Sequence, residues 1–125
     1  MIGVLLDTCV LIDYLRDRAA AVEFMRRLEA RPAVSVISAA ELYAGSRPPA
    51  EQQRIDALLA QLLVKEIDLE IARLGGTFCQ QYRRSHGVEI PDALIAATAQ
   101  VHGARLVTRN ARHFPMFDDL LVPYA

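Results

Sequence analysis

Cysteine, lysine, long apolar runs and an excess charge of either sign are all scarce in this chain of 125 residues. Its two cysteines, Cys9 and Cys79, are too few and too far apart for a CxxC metal pair or a disulfide framework, so both read as buried, reduced thiols. No apolar run approaches the roughly 18 to 20 residues of a membrane span. The opening Met-Ile-Gly-Val-Leu-Leu-Asp lacks the basic stretch and small-residue cleavage site of a secretory signal. The expectation is a cytoplasmic protein with no membrane contact. A formal net charge of -1 provides no bulk attraction for nucleic acid, whose footprint would have to be local. Lys65 is the sole lysine beside thirteen arginines. That bias suits bidentate phosphate contacts, but genomic base composition produces it equally well.

Apolar residues are plentiful, at 53% hydrophobic content, enough for one compact domain over residues 1–125 with its own core. Residues 2–6 form an apolar run consistent with a buried strand that delivers Asp7 at its C-terminal end. A short helix is expected over 10–15 and a longer one over 19–30, with Val22, Phe24, Met25 and Leu28 on its apolar face and Pro32 ending it. Residues 33–37 fit a second strand, after which Ser38-Ala-Ala-Glu41 begins another helix. Ile55, Leu58, Leu59 and Leu62 recur at helical spacing over 51–63. A third strand over 64–67 precedes a helix over 69–85 capped by Asp68, in which Gly75-Gly76 either weakens the helix or permits close packing. Pro91 suits a first helical position, the helix over 92–102 ends at Gly103, and a fourth strand covers 105–108. Residues 121–122 offer a fifth. Strands alternating with helices predict an α/β fold with a mostly parallel central sheet of four to five strands flanked by helices.

Three carboxylates stand at the edges of apolar segments: Asp7, Glu41 in Ser38-Ala-Ala-Glu-Leu-Tyr-Ala-Gly45, and Asp92 in Pro91-Asp-Ala-Leu-Ile-Ala-Ala97. Each has a structural explanation as a helix cap, a member of an S-x-x-E capping box or a first-turn acid. Capping, however, requires neither an apolar strand just before the acid nor three acids on one rim, and sites in such sheets lie beyond the carboxyl ends of strands. Any two of them about 5 Å apart in an effective dielectric near 20 repel by roughly 3 kcal/mol. A divalent cation such as Mg²⁺ or Mn²⁺, which prefers oxygen ligands, is the simplest compensation. Thr108 and Asn110 follow the fourth strand and are candidates to orient a carboxylate or a water. Arg109, Arg112 and His113 concentrate positive charge near the same rim, as phosphate contacts or as a solvated loop.

Four segments, Asp7-Thr-Cys-Val-Leu-Ile-Asp13, Ser38-Ala-Ala-Glu-Leu-Tyr-Ala-Gly45, Pro91-Asp-Ala-Leu-Ile-Ala-Ala-Thr-Ala99 and Leu106-Val-Thr-Arg-Asn-Ala-Arg-His-Phe114, follow one another in an order and spacing that resembles the PIN-domain nucleases, and within them the VapC-type toxins of bacterial type II toxin–antitoxin pairs. The resemblance covers nearly the whole chain. It implies a metal-dependent endoribonuclease toxin in which Asp7, Glu41 and Asp92 hold Mg²⁺, or Mn²⁺, and Asn110 joins them in catalysis, with Thr8 and Thr108 supporting. Asn110 falls where many relatives place a fourth acid, which bears on a second metal more than on activity. Cys9 departs from the Asn or Ser common after Asp-Thr and is assigned to packing. The implied reaction is attack by water on phosphorus in RNA, transfer RNA or ribosomal RNA, leaving a 5′-phosphate and a 3′-hydroxyl. Arg109, Arg112 and His113 are the implied RNA contacts. The implied partners are a VapB-type antitoxin lying in a hydrophobic groove, a second copy in a homodimer, and promoter DNA through the antitoxin complex. Leu11, Leu15 and the face from Val22 to Met25 are candidates for that groove or for the core.

Three other readings stand beside it. A haloacid dehalogenase-like phosphatase needs a second Asp where Cys9 sits. A receiver-like Mg²⁺-binding signalling domain needs a Lys after its last strand, and the only Lys is Lys65. A non-catalytic PIN-like RNA-binding or interaction module is favoured by Asn110 and opposed by the intact acids. Asp13, six residues after Asp7 and so about 1.7 helical turns on, is expected to point away from the rim.

Overall fold

The computed structural model describes residues 3–125. Four strands, β1 (Val4–Leu6), β2 (Ala33–Ser35), β3 (Leu63–Lys65) and β4 (Arg105–Val107), form one sheet in the order β3-β2-β1-β4, every pair parallel. Six helices connect and cover it: α1 (Thr8–Leu15), α2 (Ala19–Arg27), α3 (Val36–Ala44), α4 (Ala50–Leu59), α5 (Leu69–His86) and α6 (Ile90–Val101). The expected α/β class and parallel sheet are present, with four strands rather than five: Leu121 makes a single parallel bridge to Val107 and no strand follows. The start of the first expected strand at Ile2 lies outside the described residues.

Strand periodicity divides the core. Successive side chains point to opposite faces, so Leu5, Ala33 and Leu106 join one apolar cluster with Ile71, Phe78, Ile95 and Phe114, while Leu6, Val34 and Val107 join another with Val10, Leu11, Leu42, Ile55 and Leu58. The first is covered by α5 and α6 and the second by α1, α3 and α4, which makes a three-layer α/β/α sandwich. Each fully buried Leu or Val contributes about 1.5 to 3 kcal/mol relative to exposure, so the two clusters fix which way each strand faces. Leu11 is fully buried and belongs to this core, not to a surface groove.

Local chemistry sets the ends of the helices. Ser35 caps α3, its hydroxyl accepting from the Ile37 N–H at 3.0 Å, so that helix starts at Val36, two residues ahead of the expected Ser38. The expected strand over 33–37 shortens accordingly, because the same hydroxyl draws residues 36 and 37 into the first helical turn. α2 stops at Arg27, short of the expected Ala30, where Leu28 turns extended well ahead of Pro32. Asp68 caps α5 as expected, accepting from Ile71 N–H at 2.9 Å, and Gly87, with φ 65°, closes it in the left-handed conformation that glycine tolerates best. Gly75 permits close packing: a Cβ there would stand 2.7 Å from Leu94 Cδ2, on the α6 face that α5 covers.

Candidate functional site

Both β1 and β4 end at the same rim, and Asp7 is built from the two together. Its N–H donates to the Val107 carbonyl at 2.9 Å, extending the ladder one residue past the strand, and its backbone (φ −72°, ψ 155°) is that of a helix N-cap. Its Oδ1 accepts from the Thr8 N–H at 2.8 Å, and its Oδ2 from the Thr108 hydroxyl at 2.8 Å. The residue is only 4% exposed. A carboxylate has about four lone-pair directions, so Oδ1 keeps room for another partner, while Oδ2 also lies 3.4 Å from the Cys9 thiol. Thr108 is fully buried and also accepts the Asn110 N–H at 2.9 Å, which ties the loop after β4 to the same hydroxyl.

Glu41 reaches the rim through a relay. Thr8 Oγ1 donates to Glu41 Oε1 at 2.7 Å and lies 2.8 Å from Ser38 Oγ. With its one proton committed to Glu41, Thr8 must accept from Ser38. The chain Ser38, Thr8, Glu41 therefore links α3 to the first turn of α1, and among the described residues this hydroxyl is the sole hydrogen-bond partner of the Glu41 carboxylate. Ser38 sits one helical turn before Glu41 on α3, with its side chain turned inward and wholly buried. The S-x-x-E pattern thus marks not a capping box but two residues on one face, and Ser38 is the part of the site that the capping reading concealed.

Asp92 lies in the first turn of α6, behind Pro91, with its side chain 31% exposed. Its Oδ2 is 3.3 Å from His113 Nδ1. Burial and the negative charge of Asp7 push its pKa up, His113 pulls against them, and Glu41 adds to the upward push. Asp92 thus feels the charge of both other acids. Burial and the neighbouring acids outweigh the one imidazole beside it, as expected where carboxylates gather.

Cys9 lines the same corner, its Sγ 3.4 Å from Asp7 Oδ2. Burial, then the Asp7 charge, raises its pKa to about 11, so it remains a neutral thiol beside the acid and a poor ligand for a hard cation. Among the described residues, no three His, Cys, Asp or Glu side chains are already gathered closely enough to enclose one metal ion. The donor set fits a hard divalent cation that keeps several waters and is held by few carboxylates, as Mg²⁺ characteristically is, rather than a closed protein cage.

The other expected residues are dispersed. Asn110 is exposed, and only its backbone N–H is engaged at the site. Arg109 is turned toward Asp13, with Nη1 3.0 Å from Asp13 Oδ2. Arg112 is exposed and His113 is committed to Asp92. Asp13 is engaged elsewhere, in a cluster with Arg18, Arg109 and Tyr124. A groove of about 480 Å³ opens beside Glu41, with Ile12, Leu15 and Leu42 as its apolar side and Arg16, Arg47 and Arg54 along it. The strand order disposes of the receiver-like arrangement: Lys65 ends β3, two strands away from β1, and Thr108-Arg109 follow the last strand.

Comparison with known proteins fits this geometry. The pattern of the PIN domain matches residues 4–120. The chain is 42% identical over 125 residues to "Ribonuclease VapC10" of Mycobacterium tuberculosis, covering 98% of this chain and 93% of that one. It is 40% identical over 124 residues to "Ribonuclease VapC19" of the same organism, covering 96% and 98%. Among solved structures, a toxin-antitoxin complex from Klebsiella pneumoniae superposes with a TM-score of 0.85 at 30% identity, over 98% of both chains. DNA-bound VapBC from Salmonella typhimurium shares the fold, with a TM-score of 0.77 at 24% identity over 97% of this chain and 96% of that one.

Proposed function

The chain belongs to the PIN-domain family, and from that premise we propose that it is a VapC-type endoribonuclease toxin, dependent on Mg²⁺ or Mn²⁺ and silenced by a VapB-type antitoxin. The observation that carries the reading is the rim itself: Asp7 fixed by Thr8 and Thr108, Glu41 tied to the same Thr8, and Asp92 under the charge of both. Relatives named as ribonucleases support RNA as the substrate, and neighbours solved as toxin–antitoxin and DNA-bound assemblies support the antitoxin and, through it, promoter DNA. A cytoplasmic homodimer acting on transfer RNA or ribosomal RNA completes the proposal.

Asp7, Asp92 and Glu41 are the residues that would hold the cation. When bound, a divalent ion neutralises phosphate charge and brings the pKa of water toward neutrality. The chain's own residues do the rest. Asp7, held at both oxygens, presents a carboxylate in one orientation. Thr8 aims Glu41 toward the water that attacks phosphorus, and Asp92 faces both acids from α6. Hydrolysis breaks the P–O3′ bond, leaving a 5′-phosphate on one fragment and a 3′-hydroxyl on the other. Asn110, exposed at the start of the last loop, is available to the RNA strand with Arg112, whereas His113 must first leave Asp92 and Arg109 must first leave Asp13.

The experiment is incubation of antitoxin-free protein with total cellular RNA in Mg²⁺, Mn²⁺ or EDTA, with Asp7→Ala and Asp92→Ala in parallel. Discrete, metal-dependent cuts absent from both variants are expected, with 5′-phosphate ends on mapping. Cleavage that persists in EDTA, or 2′,3′-cyclic phosphate ends, would overturn the mechanism.

A further inference from the structure

The segment from Asp119 to Ala125 carries no regular element, yet it is fastened at both ends to the parts that build the rim. Leu121 N–H donates to the Leu106 carbonyl at 2.9 Å, and Thr108 N–H donates to the Leu121 carbonyl at 3.0 Å. Arg105 Nε donates to the Asp119 carbonyl at 2.7 Å. The segment therefore lies along β4 at the open edge of the sheet and supplies the backbone bond that fixes Thr108, whose hydroxyl holds Asp7.

Its other end is latched to α1. Tyr124 donates its hydroxyl to Asp13 Oδ2 at 2.8 Å, and the same oxygen accepts from Arg18 Nη1 at 3.1 Å and Arg109 Nη1 at 3.0 Å. Both guanidiniums also stand over the Tyr124 ring, 4.6 Å and 5.6 Å from its centroid. Stacking and charge-assisted hydrogen bonding thus converge on one residue. Arg109 follows Thr108 directly, and Asp7 caps α1, so the latch joins the two elements whose contact defines the acid's position.

We propose that Tyr124 is a positioning residue for phosphodiester hydrolysis, latching residues 119–125 to Asp13 so that Thr108 holds the Asp7 carboxylate in its working orientation. The inference rests on the nuclease reading and adds to it a residue outside every motif of the site, ten positions beyond Phe114. Tyr124 touches no acid of the rim among its recorded contacts. Its effect travels through Arg109 and Thr108.

The test uses the whole chain carrying Tyr124→Phe, which removes the hydroxyl but keeps the ring beneath both arginines, and Tyr124→Ala as the stronger variant. Steady-state cleavage of a defined RNA is measured with amide hydrogen exchange at Thr8 and Thr108. For Tyr124→Phe, kcat is expected to fall about tenfold with KM within about twofold, as a small misplacement of a reacting group does. Exchange should quicken at Thr8 and Thr108 and stay unchanged in α5 and α6, and Tyr124→Ala should exaggerate each effect. Wild-type kcat and exchange in Tyr124→Phe overturn the proposal. So does faster exchange across the whole chain, which would assign the residue to general stability. If the wild-type protein cuts no RNA, the nuclease reading itself has failed and the positioning role falls with it. That outcome is distinct from wild-type cleavage undisturbed by the substitution.

Discussion

Replacing Thr108 with valine isolates the bond on which the site depends. The two side chains have nearly the same volume, so a fully buried position keeps its packing and loses only the hydroxyl. That hydroxyl donates to an ionised carboxylate at 2.8 Å and accepts one backbone N–H at 2.9 Å. A hydrogen bond to a charged group contributes about 1.5 to 3 kcal/mol, and a neutral one about 0.5 to 1.5 kcal/mol. Asn110 is exposed and its N–H can turn to water, so the Asp7 bond dominates and the expected loss is about 2 kcal/mol. For a domain of this size that lowers Tm by roughly 6 to 12 °C. Activity should fall further than stability, by about a hundredfold if Asp7 shifts by about an ångström. The assay is thermal unfolding in EDTA beside RNA cleavage at saturating Mg²⁺, with Thr108→Ser, which keeps the hydroxyl, expected to recover most of both. A Thr108→Val protein with wild-type Tm and cleavage would refute the reasoning and leave the Thr8 N–H and the Cys9 thiol as sufficient support for the Asp7 carboxylate.

Asp92→Asn should abolish cleavage yet melt above the wild type in EDTA, because it removes a charge that burial, Asp7 and Glu41 together oppose more strongly than His113 favours. Mg²⁺ should then raise Tm in the wild type but not in the variant, and a lower Tm in EDTA would sink the idea. Gly75→Ala should cost about 1 to 3 kcal/mol in urea unfolding, since its Cβ would press on Leu94, while Gly76→Ala, facing open space, should be neutral or stabilising. Asp13 has its pKa lowered although burial alone would raise it, because the Tyr124 hydroxyl, Arg109 and Arg18 outweigh burial. A depressed folded pKa means the ionised form contributes stability above about 3.8 and loses it as pH falls through the folded value. The stability gap between wild type and Asp13→Asn should therefore close in acid, and a gap that is constant down to that range would refute the assignment.

How far the sequence foretold this follows from what each signal encodes. Asp7, Asp68 and Asp92 were legible because strand ends and helix starts are local events, marked by an apolar run, a capping acid or a proline. The two faces of the sheet were implicit in strand alternation. The start of α3 was not legible, because Ser35 and Ser38 compete for the cap, and only the burial of Ser38 against Thr8 shows that Ser35 takes it. The bond between Thr108 and Asp7 joins β4 to β1 across nearly the whole chain. Thr108, placed just after a strand, was legible as a residue that could orient a carboxylate, though not which one. The Tyr124 latch to Asp13 is equally remote and has no local pattern that could announce it. Residues 121–122 have strand composition, but the Leu121 carbonyl is spent on Thr108 and a single bridge is all that forms.

The three acids of the rim are held with unequal firmness, and the fold explains why. Asp7 sits at the N-terminus of α1, where exposed N–H groups and the helix dipole favour a negative charge, and both its oxygens are engaged. Asp92 shares the dipole advantage in the first turn of α6 but lies partly open, steadied by one contact with His113. Glu41 enters the last turn of α3, where the dipole opposes a negative charge, and is exposed apart from the hydrogen bond it accepts from Thr8. A buried, doubly held acid thus faces two that are more open, and Asp92 carries the repulsion of both others. Among the described residues no three potential ligands are gathered around one point, in keeping with a rim of one fixed and two more open acids. On the proposed metal-dependent reading, a bound cation would offset the repulsion that raises the Asp92 pKa, so its loss should be felt at Asp92 before Asp7.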